Sequence, residues 1–557
     1  MIIIFLLFTF FSLLSIIGYG VIFNKIFLKD FKNLNLGLVG FCGLLFLSGI
    51  SYFTHLFTPH NFTHNLIIFI FGVLSFIFFY RKKIILIKKE YIFILLLLLI
   101  GIFIGKTHDD FGYYHLPNSL HFSENKLEFG LGNLNHGFKH HSSIFYLYSL
   151  FYLPIIKFYL FNVINFFFLI FSTFYLYGNI DDDLKKKKFD YTSLIKTIFL
   201  ILFISIFNRI GEYGVDIPGQ LVAGIFICLI IDLVEKKNLA KQTYLDSVIL
   251  IMSLLVFLIT IKTYFILYVI FPLMIILISS QRKKLLINFI FSKSFVFLTS
   301  VIVLFTIINI SATGCVVYPV KNLCFPNFFS WGLNLETINY LSTWYEIWSK
   351  AGAGPDFRES DPLIYIQGVN WFSNWIDKYF FTKVTDFLSA IFLGIIITVI
   401  VFRKNLSVNL RFKKNIILIY MGILFLTFIW FFKFPSLRYG GSILIISLLV
   451  IPFCFLLNIK KNLNLMKQFK ILLIISILIF NLKNISRINK EFNYSAAGYF
   501  KSFPLFHIEN VDFSERVINN EKVYVVKGMC WATPSPCMRN ADRKTEIKYG
   551  YKIYLNN

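Results

Sequence analysis

Apolar residues in this chain run in continuous blocks, not at every second or fourth position. Blocks of about 20 residues reach across the ~30 Å of a bilayer core at 1.5 Å per helical residue. Blocks of this kind cover 3–23, 37–57, 63–80, 91–106, 159–178, 193–210, 218–234, 245–262, 264–280, 288–310, 384–402, 415–432, 440–457 and 470–484. Lipid offers no partner to an open backbone N–H or C=O, so each block is expected as a helix. The pattern predicts an all-α polytopic membrane protein with about 14 transmembrane helices. One further apolar stretch, "SSIFYLYSLFYLPII" at 142–156, is interrupted by Tyr146, Tyr148, Tyr152 and Pro154. It is expected as an interfacial or half-inserted helix, because a crossing there would invert every later loop.

Composition strengthens this reading. Of 557 residues, 57% are hydrophobic and only 15% are charged, and the mean hydropathy is +0.72. Soluble domains are about 45–50% apolar and about 25% charged. The net charge of +25 would suit nucleic acid if it formed one surface. Instead Lys and Arg fall in short clusters between apolar blocks: "RKKIILIKKE" at 81–90, "DDDLKKKK" at 181–188, "EKKNLAKQ" at 235–242, "QRKK" at 281–284, "RKNLSVNLRFKKN" at 403–415 and "KKNLNLMKQFK" at 460–470. That is the pattern of cytoplasmic loops, and no nucleic-acid partner is expected. The first block has no basic residues before it and no small-residue cleavage site after it, so it is read as a retained span with its N-terminus outside.

Alternation then places 107–158, 211–217, 311–383, 433–439 and 485–557 outside. Residues 1–484 form the transmembrane module in this reading, and 485–557 form a small extracytoplasmic α/β cap with strand-like runs "KVYVV" and "IKYGYKIYL". About 70 residues is near the lower limit for a free-standing core. Cys315/Cys324 and Cys530/Cys537 are close in sequence and external, so disulfides are expected. Zinc is the rival reading; it needs four ligands, and each pair supplies two. Cys42, Cys228 and Cys454 lie within apolar blocks as small core residues.

The external segments hold the unusual chemistry. Segment 107–158 carries Asp109, Asp110 and six of the ten His: His108, His115, His121, His136, His140 and His141. Two adjacent carboxylates at a helix mouth repel each other and need a cation or a raised pKa. "HGFKHH" is compact enough for a metal but matches no specific ligand spacing. Segment 311–383 has Trp331, Trp344, Trp348, Trp371 and Trp375, five of the seven Trp, which suit a membrane-interface belt or a sugar- or lipid-facing wall. It also carries the turn-rich "AGAGPDFRESDP". "GEYGVDIPGQL" puts Glu212 and Asp216 on an external turn, and "FKFPSLRYGG" puts Lys433 and Arg438 at an outer helix end. Lys433 reads as a snorkelling anchor. Arg438 follows a Pro and precedes two Gly, and Lys262 sits at the end of another hairpin.

These residues resemble the GT-C glycosyltransferases, polytopic enzymes that take a sugar from a polyprenyl-phosphate donor. The protein O-mannosyltransferases and the lipid A aminoarabinose transferase are members. Asp109-Asp110-Phe111-Gly112-Tyr113-Tyr114 is similar to their Asp-Glu-x-x-Tyr signature, with Asp for Glu. "YGVDIP" resembles their second acidic turn and "PSLRY" their Arg-Tyr stretch. The resemblance covers roughly 91–440. Three spans precede the acidic pair where the family usually has one, and "FKHHSSIFY" stands where many members have Lys-Pro-Pro.

The resemblance implies a GT-C-like bundle in which Asp109 takes the acceptor's proton and Asp110 or Asp216 orients the acceptor. A divalent cation held by those acids is the only cofactor implied. Arg438, with Lys262 or His115, would bind the phosphate, and Tyr113 would line the substrate site. The expected partners are a polyprenyl-phosphate-linked sugar and membrane lipid. The expected location is a bacterial inner (plasma) membrane, with the site on the periplasmic face. Two other classes fit the span pattern: a transporter or flippase, and an O-antigen polymerase or ligase. The former places ionisable groups inside broken helices, and few charges lie inside these blocks.

Overall fold

Continuous apolar sequence folds here into a helical bundle. The computed structural model describes residues 2–29, 35–85, 87–103, 106–212, 214–235, 241–279, 282–351, 361–408, 414–460, 464–494, 505–518, 521–539 and 544–556. Among them, eleven helices are long and apolar enough to cross a membrane. The protein is a multi-pass integral membrane protein. Three expected spans are occupied by shorter helices. Lys89–Leu98 passes into a 3-10 turn, Leu99–Ile102. Tyr191–Ile206 and Thr263–Ile278 are the others, the latter 3-10 wound over Thr263–Val269.

Side-chain size sets how closely the helices pack. Ile2–Phe27 lies against both Leu36–His55 and Phe62–Arg81. A Cβ on Gly18 would fall 2.1 Å from the Gly72 carbonyl oxygen, so only glycine lets these backbones approach so closely. Phe158–Lys185 is buried along most of its length and forms the central pole. Phe62–Arg81 instead exposes Ile67, Phe71 and Leu74, the side chains that lipid would cover.

The two ends of the bundle differ in chemistry. One end gathers the basic clusters. There Lys88 pairs with Asp181 and Asp182 at 3.1 and 3.2 Å, and buried Lys196 pairs with Asp232 at 2.7 Å. Leu406–Val408 and Leu457–Ile459, from two of the basic loops, pair as antiparallel strands. The other end carries the acidic, His-rich and Trp-rich segments.

Several expectations for that second end are corrected. Within 142–156 the helix is only Ser143–Leu150, too short to cross, and all eight residues are buried. It is therefore an internal helix; its tyrosines pack inward, Tyr146 against Phe122 at 4.2 Å. Trp371 and Trp375 are buried in a cluster with Tyr379 and Val384, not spread as a belt. The last residues of the 311–383 segment are helical, because Phe372–Phe402 is one helix. Residues 352–360 of "AGAGPDFRESDP" lie outside the described residues.

The boundary expected at 484/485 falls inside a helix, Leu465–Tyr494. Beyond that helix the described residues form strands, so the expected 485–557 cap begins in the last residues of Leu465–Tyr494. Phe513–Ile518 pairs antiparallel with Glu521–Val526, which pairs parallel with Cys537–Met538. Thr545–Lys548 and Tyr551–Tyr554 make a hairpin. These strands share a core with the 131–138 turns: Leu131, Leu134 and Phe138 pack with Val523, Met538 and Tyr554. A segment this small gains its core by borrowing one. Both close-spaced cysteine pairs are bonded, Cys315–Cys324 and Cys530–Cys537.

Candidate functional site

Each charged side chain singled out in the sequence sits where a helix starts or stops. Asp109 and Asp110 open a helical stretch that widens into a π-type turn, Phe111–His115, and continues as Leu116–Glu124. Asp216 is the first residue of Asp216–Glu235. Lys262 ends the preceding hairpin, its N–H bonded to the Leu258 carbonyl at 2.9 Å. Arg438 lies in a break between Lys414–Lys433 and Ser442–Phe455. Gly440 there has φ +81°, a conformation that costs glycine little. The break is pinned by indole and phenol groups. Trp375 Nε1 donates to the Pro435 carbonyl at 2.7 Å, Trp430 Nε1 to the Ser436 carbonyl at 2.9 Å, and the Leu437 N–H to Tyr379 Oη at 2.8 Å.

These helix ends converge on one ion cluster. Arg438 donates from Nε to Asp216 Oδ2 at 2.8 Å and from Nη2 to Asp110 Oδ2 at 3.0 Å. Lys262 Nζ donates to Asp216 Oδ1 at 2.5 Å and to the Arg438 carbonyl at 3.3 Å. His108 Nδ1 lies 3.4 Å from Asp110 Oδ2 and accepts the Asp110 N–H at 3.1 Å. Aromatic faces cover the cations: Arg438 is 5.1 Å from the Trp348 ring centre, and Lys262 is 4.2 Å from that of Tyr439. Two cations face two carboxylates, so the cluster is neutral as it stands. Asp110 and Asp216, the acids the sequence offered to a divalent cation, both face Arg438. Among the described residues no three His, Cys, Asp or Glu side chains converge to hold a metal ion.

Asp109 takes no part in this cluster. Its exposed carboxylate lines a separate cavity of about 180 Å³ with Lys106, Thr107, His108, Arg209 and Glu212. Glu212 is buried there between two guanidinium groups, those of Arg209 and Arg487. Arg487 also donates from Nη2 to the Phe103 carbonyl at 2.8 Å and to Asn484 Oδ1 at 3.0 Å. Phe103 in turn lines a larger apolar groove of about 470 Å³ with Ile100, Ile485, Ile488 and Phe492. A polar pocket and an apolar groove thus share one wall, the Phe103–Arg487–Glu212 contact. Lys106, Arg209 and Arg487 were not singled out in the sequence. A lone cation at a helix end looks like any membrane-surface anchor, and only the partner across the bundle distinguishes it.

A family model described as a domain of unknown function, DUF8201, matches residues 1–445. The chain belongs to the DUF8201 family. No curated protein and no solved structure matches it. The DUF8201 match contains Asp109, Asp110, Asp216, Lys262 and Arg438; Arg487 and the Cys530–Cys537 loop lie beyond it.

A group of histidines and tyrosines packs together next to the acidic segment of this DUF8201 protein. The His115 imidazole packs on Gly214; a Cβ there would lie 2.2 Å from it. Tyr114 contacts the rings of His115 at 4.4 Å and His140 at 5.5 Å. Tyr345 Oη lies 2.7 Å from His140 Nε2 and 3.0 Å from His136 Nε2. Tyr113 turns toward the C-terminal segment, with Arg539 4.9 Å from its ring centre.

Burial lowers the imidazole pKa values from 6.5 to about 4 for His115, His136 and His141, and to about 3 for His60. These groups are neutral in the folded protein. An unfolded histidine takes up a proton near pH 6.5, so the unfolded state binds more protons between that pH and about 4, and stability falls as pH drops through this window. Thermal unfolding in detergent should show a lower midpoint at about pH 5 than at about pH 7.5. An unchanged or higher midpoint at the lower pH would contradict neutral burial of these rings.

Proposed function

We propose that this DUF8201 protein is an integral-membrane glycosyltransferase. It moves a sugar from a polyprenyl-phosphate donor to an acceptor hydroxyl, on the membrane side opposite the basic loops. In a bacterial cell that side is the periplasmic face of the plasma membrane. The observation that carries this reading is an apolar groove and a polar pocket on either side of one contact, Phe103–Arg487–Glu212. A single-chain lipid phosphate has an apolar tail and an anionic head. The groove suits the tail, and Lys106 and Arg209 suit the phosphate through charge-assisted contacts.

Asp109 is the general base in this mechanism. It borders the cation-lined pocket and, unlike Asp110, is not tied to Arg438. The Asp110 carboxylate is already occupied by the Arg438 guanidinium. The acceptor O–H gives its proton to Asp109, its oxygen bonds to the sugar's anomeric carbon, and the carbon–oxygen bond to phosphate breaks. The phosphate leaves with the electron pair, its charge stabilised by Lys106 and Arg209. Arg438 and Lys262 hold Asp110 and Asp216 in place and so fix the mouth of the pocket.

Purified protein in liposomes, given a radiolabelled polyprenyl-phosphate sugar and a glycolipid extract as acceptor, should release polyprenyl phosphate and label the acceptor. Lys106→Ala and Arg209→Ala should each weaken donor binding about tenfold or more, since a lost charge-assisted contact is worth at least about 1.4 kcal/mol. Intact donor appearing in the opposite leaflet, with no new glycosidic bond, would instead identify a flippase.

A further inference from the structure

The acidic segment is gripped from outside the bundle. The Trp531 N–H donates to the Gly112 carbonyl at 2.8 Å. The Trp531 indole lies so close to Gly112 that a Cβ there would fall 2.3 Å from the ring. Phe111, beside Asp110, packs between Trp531 at 6.4 Å and Phe506 at 5.0 Å. The far end of the same helical stretch is held as well. Ser535 Oγ lies 2.5 Å from His121 Nδ1, and the Ser535 N–H donates to Glu124 Oε2 at 3.0 Å. Trp531 and Ser535 both belong to the loop closed by Cys530–Cys537. Cys530 Sγ also accepts from Asn135 Nδ2 at 3.3 Å.

We propose that the Cys530–Cys537 loop is a clamp that positions Asp109 and Asp110, with Trp531 as the positioning residue. The backbone explains why a clamp is needed. A π-type turn is rare and holds poorly on its own, and the Phe111–His115 turn follows the two acids directly. Which way the acids face depends on how that turn is held. The loop holds the turn at Gly112 and the helix that continues it at His121 and Glu124. Trp531 itself has φ +45°, costly for a bulky residue and kept only where surrounding contacts over-determine it. The closed loop and its buried cysteines supply those contacts. Residue 531 lies beyond the DUF8201 match. The clamp's consequence for turnover rests on the glycosyltransferase reading; the positioning itself does not.

The test is hydrogen exchange on the full-length protein in detergent. Trp531→Ala should raise exchange across 107–116 about tenfold and leave the Asp216–Glu235 helix unchanged. Trp531→Phe, which keeps an aromatic ring on Gly112, should restore most of the protection. Gly112→Ala reaches the contact from the other side, since its methyl group pushes the indole away while the loop and its disulfide stay intact. It should raise exchange in the same peptides, and the double variant should be no worse than the more affected single one. Unchanged exchange in both single variants, additive effects in the double variant, or loosening spread over the whole bundle would overturn the clamp. If Trp531→Ala does not fold, Gly112→Ala and Trp531→Phe decide the question. Sugar transfer measured alongside separates the two readings. Loosened 107–116 peptides in a protein that never transfers sugar would leave the clamp standing and remove the glycosyltransferase.

Discussion

Arg438→Ala should destabilise the protein by about 3 kcal/mol, the low end of the range for removing one partner of a buried ion pair. The low end applies because the paired side chains keep some exposure: 28% for Arg438, 25% for Asp110 and 16% for Asp216. Removing the guanidinium leaves Asp110 and Asp216 with Lys262 as the remaining cation of the cluster. It also opens the junction of three chain segments that are hundreds of residues apart. Denaturant unfolding in detergent would measure the loss. Adding Asp110→Asn to Arg438→Ala should recover part of it, because one stranded carboxylate is then neutral. Arg438→Lys should fall between, since a lysine cannot span two carboxylates as a guanidinium fork does. A fully stable Arg438→Ala would mean that the cluster contributes nothing to the fold.

Asp109→Asn should leave stability nearly untouched, because the side chain is exposed at a cavity wall and lies outside the ion cluster. Sugar transfer should nonetheless fall about 10²-fold or more, the scale of general base catalysis, while donor binding persists. The contrast between the neighbouring acids is the sharpest part of this expectation. Asp110→Asn removes a partner of Arg438 and should cost stability; Asp109→Asn should cost turnover. If both variants transfer sugar at the native rate, the base lies elsewhere. If Asp109→Asn loses stability as Arg438→Ala does, its carboxylate belongs to the structural cluster.

Helix positions were legible in the sequence because a membrane span is a local property. About 20 consecutive apolar residues need no partner to be recognised. The same locality explains the errors. Its tyrosines point Ser143–Leu150 to the interface, yet it is short and internal. Its length follows from Ser142, which caps its start by accepting the Ile144 N–H, and from the turn at Phe151. The expected boundary at 484/485 lies within helix Leu465–Tyr494, which continues into polar sequence past the apolar block.

The sequence by itself determined the many-helix architecture, the gathering of basic residues at loops, and the short set of isolated charges at helix ends: Asp109, Asp110, Asp216, Lys262 and Arg438. Each is a matter of composition over a few neighbouring residues. The tertiary structure alone decided which of two adjacent acids meets Arg438, 328 positions away. It alone brought Glu212 to Arg487, 275 positions on, set the apolar groove and the polar pocket on either side of Arg487, and set Trp531 on Gly112. The physical reason is the reach of the interactions. Hydrophobic burial in lipid acts on each segment separately, whereas an ion pair or a ring contact works over a few ångströms and depends on which helix ends the packed bundle brings side by side.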